Sequence, residues 1–427
     1  MNVNQSPIVS RSTDPLRHRV MNLSIIGPAI LLSWSAVLLV ASPAVATPYT
    51  FTKIAGTDGG VFANLGALPS VNDSGVVAFA GVTVSGSEDK SGIFFGSGGA
   101  VTTVAAAGAI VGGETLTAMF GVEPVINNSG AVAFSAGQAD ANFGNGIYRY
   151  DNASTTVVIA SFPDPVAAIA GFPSVNSSGR VPFFKFVTGT GGDPGINYVS
   201  SGDGTGPTID VSSGVDVVPT ADINDGGILT YSRGPGSSNA SIVTAPDGAS
   251  ATETELIDAS GIYDGFAGTS INNDGNVVAK AFHDDTSESL ILITSGPTIT
   301  TIASNGTGDA FDSLDSDIAL NDSEEVAFVA TTPPTGTSFT GIFTGDDEVA
   351  DLVIGNFFGS DLGGFQVLDL HTSRFSVNAS GEIAFHVQLS GGGGEAIYLA
   401  TPVPEPSSLM LAIAGCLISR MRRRTRR

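Results

Sequence analysis

One figure of polar and apolar positions returns seven times along the chain. Four residues of the form Asn-x-x-Gly stand between a short apolar pair and a run such as Val-Ala-Phe. The first copy is Asn72-Asp73-Ser74-Gly75 leading into Val77-Ala78-Phe79. Others start at Asn127 and Asn176, with Gly130 and Gly179 in fourth place and Pro182 in place of alanine in the third copy. Degenerate copies run from Asn224 through Gly227 to Tyr231 and from Asn272 through Gly275 to Ala279. At Asn321 the glycine is replaced by Glu324, and the last copy is Asn378–Phe385 with Gly381. The steps between asparagines are 55, 49, 48, 48, 49 and 57, a mean of 51. Asparagine in the first position of a turn bonds its own backbone two residues on, and glycine in the fourth accepts a left-handed conformation. The figure therefore predicts a tight turn with a glycine bulge joining two antiparallel strands. Glu324 is expected to strain its turn or to impose another type.

Two more elements share the period. A Gly-Ile-aromatic strand appears at Gly92-Ile93-Phe94, Gly146-Ile147-Tyr148 and Gly341-Ile342-Phe343, with variants at Ile196, Ile242, Ile291 and Ile397. In the first six units a Thr/Val/Ile-rich strand follows, at 101–105, 155–160, 207–211, 254–258, 298–303 and 349–354. Each unit thus holds a four-stranded meander. The longest link precedes the strand ending in Asn and often carries a Phe, as at Phe62, Phe120, Phe172, Phe266 and Phe365. Seven such units match an all-β, seven-bladed β-propeller. The seventh unit lacks its last strand, and Tyr49–Ile54 stands unpaired at the start of the body. This N-terminal strand is expected to complete the last blade and close the ring, hiding the open edges. An open β-solenoid is the alternative, although its coils are usually shorter than this period.

Composition agrees with strands. Gly is 55 and Pro 22 of 427 residues, charged residues are 14%, and the mean hydropathy is +0.26. An acidic disordered chain would be less apolar, collagen would show glycine at every third place, and a helical protein would be richer in Lys, Glu and Leu. The formal net charge is −24, but residues 47–403 carry eight basic residues against 39 acidic ones, a net −31. Such a body repels nucleic acid and anionic lipid. It is compatible with cations, cationic surfaces or neutral glycans, and equally with solubility alone. The only cysteine is Cys416 and the only tryptophan Trp34, so the body has no disulfide, no Cys-based metal site and no Trp.

The two ends read as addresses. Arg17, His18 and Arg19 precede an apolar stretch from Leu23 to Val40, and Ala44-Val45-Ala46 supplies the small residues of a cleavage site. This is the pattern of a signal peptide over residues 1–46, with Met21 a possible start and an uncleaved anchor the alternative. At the other end Val403-Pro404-Glu405-Pro406 is followed by an apolar run, Leu409 to Ile418, and by Arg420, Arg422, Arg423, Arg424, Arg426 and Arg427. The run is about half of the ~20 residues a spanning helix needs, and the arginines favour the cytoplasmic side. Residues 403–427 resemble the PEP-CTERM sorting signal. The resemblance implies a membrane-sorting helix and recognition at Pro404, Glu405 and Pro406 by an exosortase-like transpeptidase, after signal peptidase has acted at Ala44–Ala46. It further implies transient anchoring in the inner membrane of a Gram-negative-type bacterium, then the cell surface or release. The repeats of 47–402 resemble the tandem NxxGxxAF repeats of surface proteins, which implies an extracytoplasmic repeat protein and assigns no activity.

Candidate chemistry is sparse. His283, His371 and His386 have no partner at helical or strand spacing and read as ordinary surface or loop residues. The body contains neither a Gly-x-Ser-x-Gly elbow nor His-Glu-x-x-His. Asp309, Asp312, Asp315 and Asp317 fall within nine residues and could donate oxygens to Ca²⁺, without matching a calcium loop. No other cofactor is implied. These features lead to the expectation of a non-catalytic binding or matrix protein, with extracellular polysaccharide or a matrix protein as partner. The alternative is a propeller-scaffold enzyme acting on extracellular glycans. Three or more His, Asp or Glu converging on the channel would favour the enzyme.

Overall fold

The computed structural model describes residues 49–403 apart from 86–87, 120–122, 140–144, 152–154, 161–165, 171–172, 188–195, 206, 215–216, 235–238, 249–251, 297, 334–337 and 358. The expected signal and sorting segments, with Ala44, Ala46, Pro404, Glu405 and Pro406 and the expected membrane helix, lie outside the described residues. Within those residues all regular structure is β, and no helix is long and apolar enough to cross a membrane.

Seven antiparallel sheets follow one another along the chain as the blades of a propeller. Blades 1 to 6 occupy 62–106, 125–160, 166–214, 217–258, 263–304 and 313–355. In blade 4, for example, Val217–Ile223, Ile228–Arg233, Ser241–Pro246 and Thr254–Asp258 pair in chain order. Blade 7 takes Phe365–His371, Ile383–Leu389 and Gly394–Pro402 from the end of the body and Tyr49–Gly56 from its start. Tyr49 lies opposite Pro402, Phe51 opposite Ala400 and Gly56 opposite Ala396, with a bulge between Lys53 and Ala55. The expected ring closure is thus observed, and the solenoid is excluded.

Strand periodicity explains how each blade meets two neighbours. Along Ile383–Leu389, Phe385 and Val387 pack with Ala327 and Ile342 of blade 6. Ala384, facing the other way, packs with Phe79 and Phe94 of blade 1. Both faces are therefore apolar, and small alanines alternate with phenylalanines to let the sheets approach.

The phenylalanines assigned to the long links stand elsewhere. Phe62, Phe266 and Phe365 lie on the innermost strands, and Phe62 packs edge-on against Phe79 and Phe94 at 5.7 and 5.0 Å. Phe120 and Phe172 lie outside the described residues. The difference arises because the innermost strand starts well before its asparagine and is interrupted on the way. In blade 1 it comprises Phe62–Leu65 and Ser70–Val71, both paired with Val77–Ser85. The interruption brings non-strand residues to the propeller axis. In blade 5 the innermost strand Tyr263–Ile271 is continuous but bulged between Ala267 and Thr269, and only glycine serves there: Gly268 has φ +56, and a Cβ would overlap the carbonyl of Ser316 in the next blade.

Candidate functional site in the central channel

The seven repeat asparagines close a ring of hydrogen bonds around the axis. Each Nδ2 donates to the backbone carbonyl of the asparagine in the next blade. The distances are 3.2 Å for Asn72 to Asn127, 2.8 for Asn127 to Asn176 and 3.2 for Asn176 to Asn224. They continue at 3.1 Å to Asn272, 3.2 to Asn321 and 2.8 to Asn378. Asn378 returns to Asn72 at 3.0 Å. The side-chain oxygen holds the turn, as where Asn127 Oδ1 accepts from Ser129 N and Ala131 N. Asparagine alone offers donor and acceptor at this length. The glycines of the turns take the expected left-handed conformation, with φ between 70° and 83° at Gly75, Gly130, Gly179, Gly227, Gly275 and Gly381. Glu324 adopts φ 63° in the same turn, so the strain is borne and the turn type is unchanged.

The residues after these asparagines form an exposed outer rim. Five backbone N–H groups donate to the Asp or Asn side chain of the following blade: Asp73 to Asn128, Ser177 to Asp225, Asp225 to Asn273, Asn273 to Asp322 and Ala379 to Asp73. At the two remaining links Ser177 and Ala379 stand where the others have Asp or Asn. Inside the rim lies a recess of about 160 Å³ that Asp222 and Arg374 also line.

Beneath the rim, the interrupted innermost strands deliver ionisable groups to the axis. Arg374 of blade 7 is 1% exposed and Glu123 of blade 2 is 2% exposed. Glu123 Oε1 accepts the backbone N–H of Arg374 at 3.2 Å, and Oε2 stands 3.7 Å from the guanidinium. Arg374 reaches across the channel and donates to the carbonyl of Thr269 in blade 5 at 3.1 Å. Asp222 of blade 4 is buried and accepts from Ile223 N at 2.7 Å, Ile271 N at 2.9 Å and Ser270 Oγ at 3.1 Å. The positive charge of Arg374 acts on Glu123, Asp222 and Asp317 alike. Burial nevertheless dominates all three carboxyls. It raises Glu123 to about 7, against the pull of Arg374 and with the help of Asp317. It also raises Asp222 and Asp317 above the usual carboxylate range. The buried hydroxyls of Thr269 and Ser376 find no hydrogen-bond partner among the described residues.

The aspartates proposed for calcium do not act together. Asp309 caps its own loop, accepting from Ser304 Oγ and Gly306 N. Asp312 stays exposed, and Asp315 accepts from Ser316 N. Only Asp317 turns towards the channel charges. Among the described residues no three His, Cys, Asp or Glu side chains are placed to hold a metal ion. The histidines need correction as well. His371 and His386 face one another across adjacent strands, and His386 is buried. Sequence reasoning missed Glu123, Asp222 and Arg374. A signal existed: Glu123, Asp317 and Arg374 each stand four residues before the repeat asparagine of their blade, and Asp222 two before its own.

Residues 35–221 match the model of a family described as being of unknown function, DUF7453. No curated protein matches the sequence. Among solved structures, a prolyl endopeptidase is similar over 81% of this chain and 52% of its own, at 14% identity and a TM-score of 0.50. An acylaminoacyl peptidase from Pyrococcus horikoshii is similar over 83% and 54%, at 11% identity and 0.49. The polysaccharide lyase Uly1 is similar over 79% and 90%, at 9% identity and 0.42. The chain spans about half the length of the two peptidases. At such identity the likeness to the prolyl endopeptidase shows the fold alone. The expectation that the protein is not an enzyme is corrected, because a solved chain that shares the fold is a prolyl endopeptidase. The architecture gives no ground for setting catalysis aside.

Proposed function

We propose that the protein is an exported propeller-scaffold enzyme that acts on extracellular glycans at its central channel. The observation that carries this reading is the convergence of Glu123, Asp222 and Asp317 on Arg374 beneath the recess. A carboxyl near 7 holds a proton at neutral pH and can also give it up, which suits a general acid. Asp222, held by three donors at the recess, supplies a second carboxyl. Glycoside hydrolysis uses a pair of carboxyls, and Glu123 and Asp222 would be that pair. Glu123 is 2% exposed, so substrate entry must displace the Arg374 side chain. The recess rim is polar and hydrogen-bonding, which favours a hydroxylated ligand, and the acidic body favours a neutral glycan.

The test is release of reducing ends from the producing cell's own exopolysaccharide by the purified protein. Turnover that Glu123→Gln abolishes at unchanged KM supports the assignment. No turnover by the wild type, or full activity in the variant, overturns it. Export and sorting are part of the same proposal, supported by the Ala44–Ala46 and Pro404–Pro406 patterns. Replacing Pro404, Glu405 and Pro406 by alanine should keep the protein in the membrane fraction. Normal release would show that the tail is no sorting signal.

A further inference from the structure

The histidines of blade 7 are not used by the channel chemistry. His371 ends the innermost strand Phe365–His371, and His386 lies directly opposite it on Ile383–Leu389. Their ring centres are 5.7 Å apart and their planes 36° apart. His386 is 6% exposed, yet neither of its ring nitrogens has a hydrogen-bond partner among the described residues. A buried imidazole without any partner needs a physical reason, because such groups are nearly always satisfied by protein, water or an ion. His371 is different. Its Nε2 stands 3.2 Å from Asp369 Oδ2, and its side chain is 40% exposed. A carboxylate on Nε2 keeps the proton there and leaves the lone pair on Nδ1. A carboxylate behind a histidine is also the usual support of a metal-bound imidazole.

We propose that His371 and His386 form a two-imidazole site for a borderline divalent transition metal such as Cu²⁺ or Zn²⁺, with Asp369 orienting His371. Imidazole pairs suit these ions, whereas Mg²⁺ and Ca²⁺ call for oxygen ligands. With metal–nitrogen bonds of about 2.0 Å each ring centre stands about 3.2 Å from the ion, so the 5.7 Å separation corresponds to roughly 125° at the metal. That is a modest opening of the tetrahedral angle. Since no third metal-binding side chain is placed to join them among the described residues, solvent completes the shell on the side where His371 is exposed. The ion ties the innermost strand of blade 7 to its neighbour three residues before Arg374 enters the channel. The charge of His371 reaches Asp317, but neither histidine touches the Glu123–Arg374 pair, and the test does not depend on glycan turnover.

The full chain, freed of metal by a chelator, is titrated with CuCl₂ and separately with ZnCl₂ and MgCl₂ by calorimetry. The expected result is one equivalent of Cu²⁺ and of Zn²⁺ bound, no Mg²⁺, and nitrogen couplings in the Cu²⁺ electron paramagnetic resonance spectrum. His371→Asn and His386→Asn should each weaken Cu²⁺ binding by at least about tenfold, and Asp369→Asn by about tenfold. Where replacing the buried His386 perturbs the fold, His371→Asn at the more exposed position decides. Absence of Cu²⁺ and Zn²⁺ binding at millimolar metal overturns the proposal. So does wild-type affinity in His371→Asn.

Discussion

Replacing Asn127 by aspartate separates the two jobs of the repeat asparagine. The carboxylate keeps an acceptor for Ser129 N and Ala131 N, at 3.1 and 2.9 Å in the native turn. It loses the donor to the Asn176 carbonyl and places an anionic oxygen 2.8 Å from it. Asn127 and Asn176 are both buried. An orphaned buried acceptor costs about 1–3 kcal/mol, and repulsion adds to that. Alanine at the same position also orphans Ala131 N, so its cost should rise to about 3–5 kcal/mol. Either loss is a large part of the roughly 5–15 kcal/mol that holds a domain folded. Urea unfolding at pH 8 with matched m-values measures both. The aspartate variant has a further signature: at a pH low enough to protonate it, its O–H can donate to Asn176 and recover part of the loss relative to wild type. Aspartate and wild-type proteins of equal stability at pH 8 would refute the claim that the inter-blade bond holds the ring.

Three other outcomes follow from the same geometry. Glu324→Gly should stabilise the protein by about 0.5–1 kcal/mol, since a left-handed non-glycine costs about 1–2 kcal/mol and the change sacrifices one bond from Asn276 Nδ2 at 2.7 Å; a lower melting temperature would contradict the strain. Removing residues 49–56 exposes Gly394–Pro402 as an open edge and uncovers the neighbours of Ile54 and Ala55, so melting should fall by more than about 10 °C; an unchanged melting curve would reject closure. Glu123 sits above its unfolded value, so its contribution is fully present below about pH 4.5 and is lost as pH rises through about 7. Glu123→Gln should therefore gain about 3 kcal/mol relative to wild type between pH 4 and pH 8, and parallel stability–pH curves would rule out the raised carboxyl.

The charge balance shows how composition and structure divide the information. Eight basic residues against 39 acidic ones imply an anionic body. The structure adds that, among the described residues, seven of the eight stand in ion pairs with nearby acids. Lys53 meets Asp58 and Arg180 meets Asp247, so little positive charge is left to soften the outer field. Partners separated by 67 residues, such as Arg180 and Asp247, share no local pattern that would reveal them.

What the chain determined by itself was periodic and local. Asparagine with glycine three residues on marks a turn wherever it falls, and alternating apolar residues mark a strand, because both effects act within a few residues. Seven copies and one unpaired strand were enough for the blade count and for closure. What only the tertiary structure decided was everything that meets at the axis. Glu123, Asp222 and Arg374 come from three blades, and His371 reaches His386 across a hairpin. Closure sets Glu123 beside Arg374 and takes both out of water, and that desolvation raises the Glu123 carboxyl to about 7. Sequence separation carries no trace of it, except that the residues concerned keep fixed offsets from asparagines that the ring holds in register.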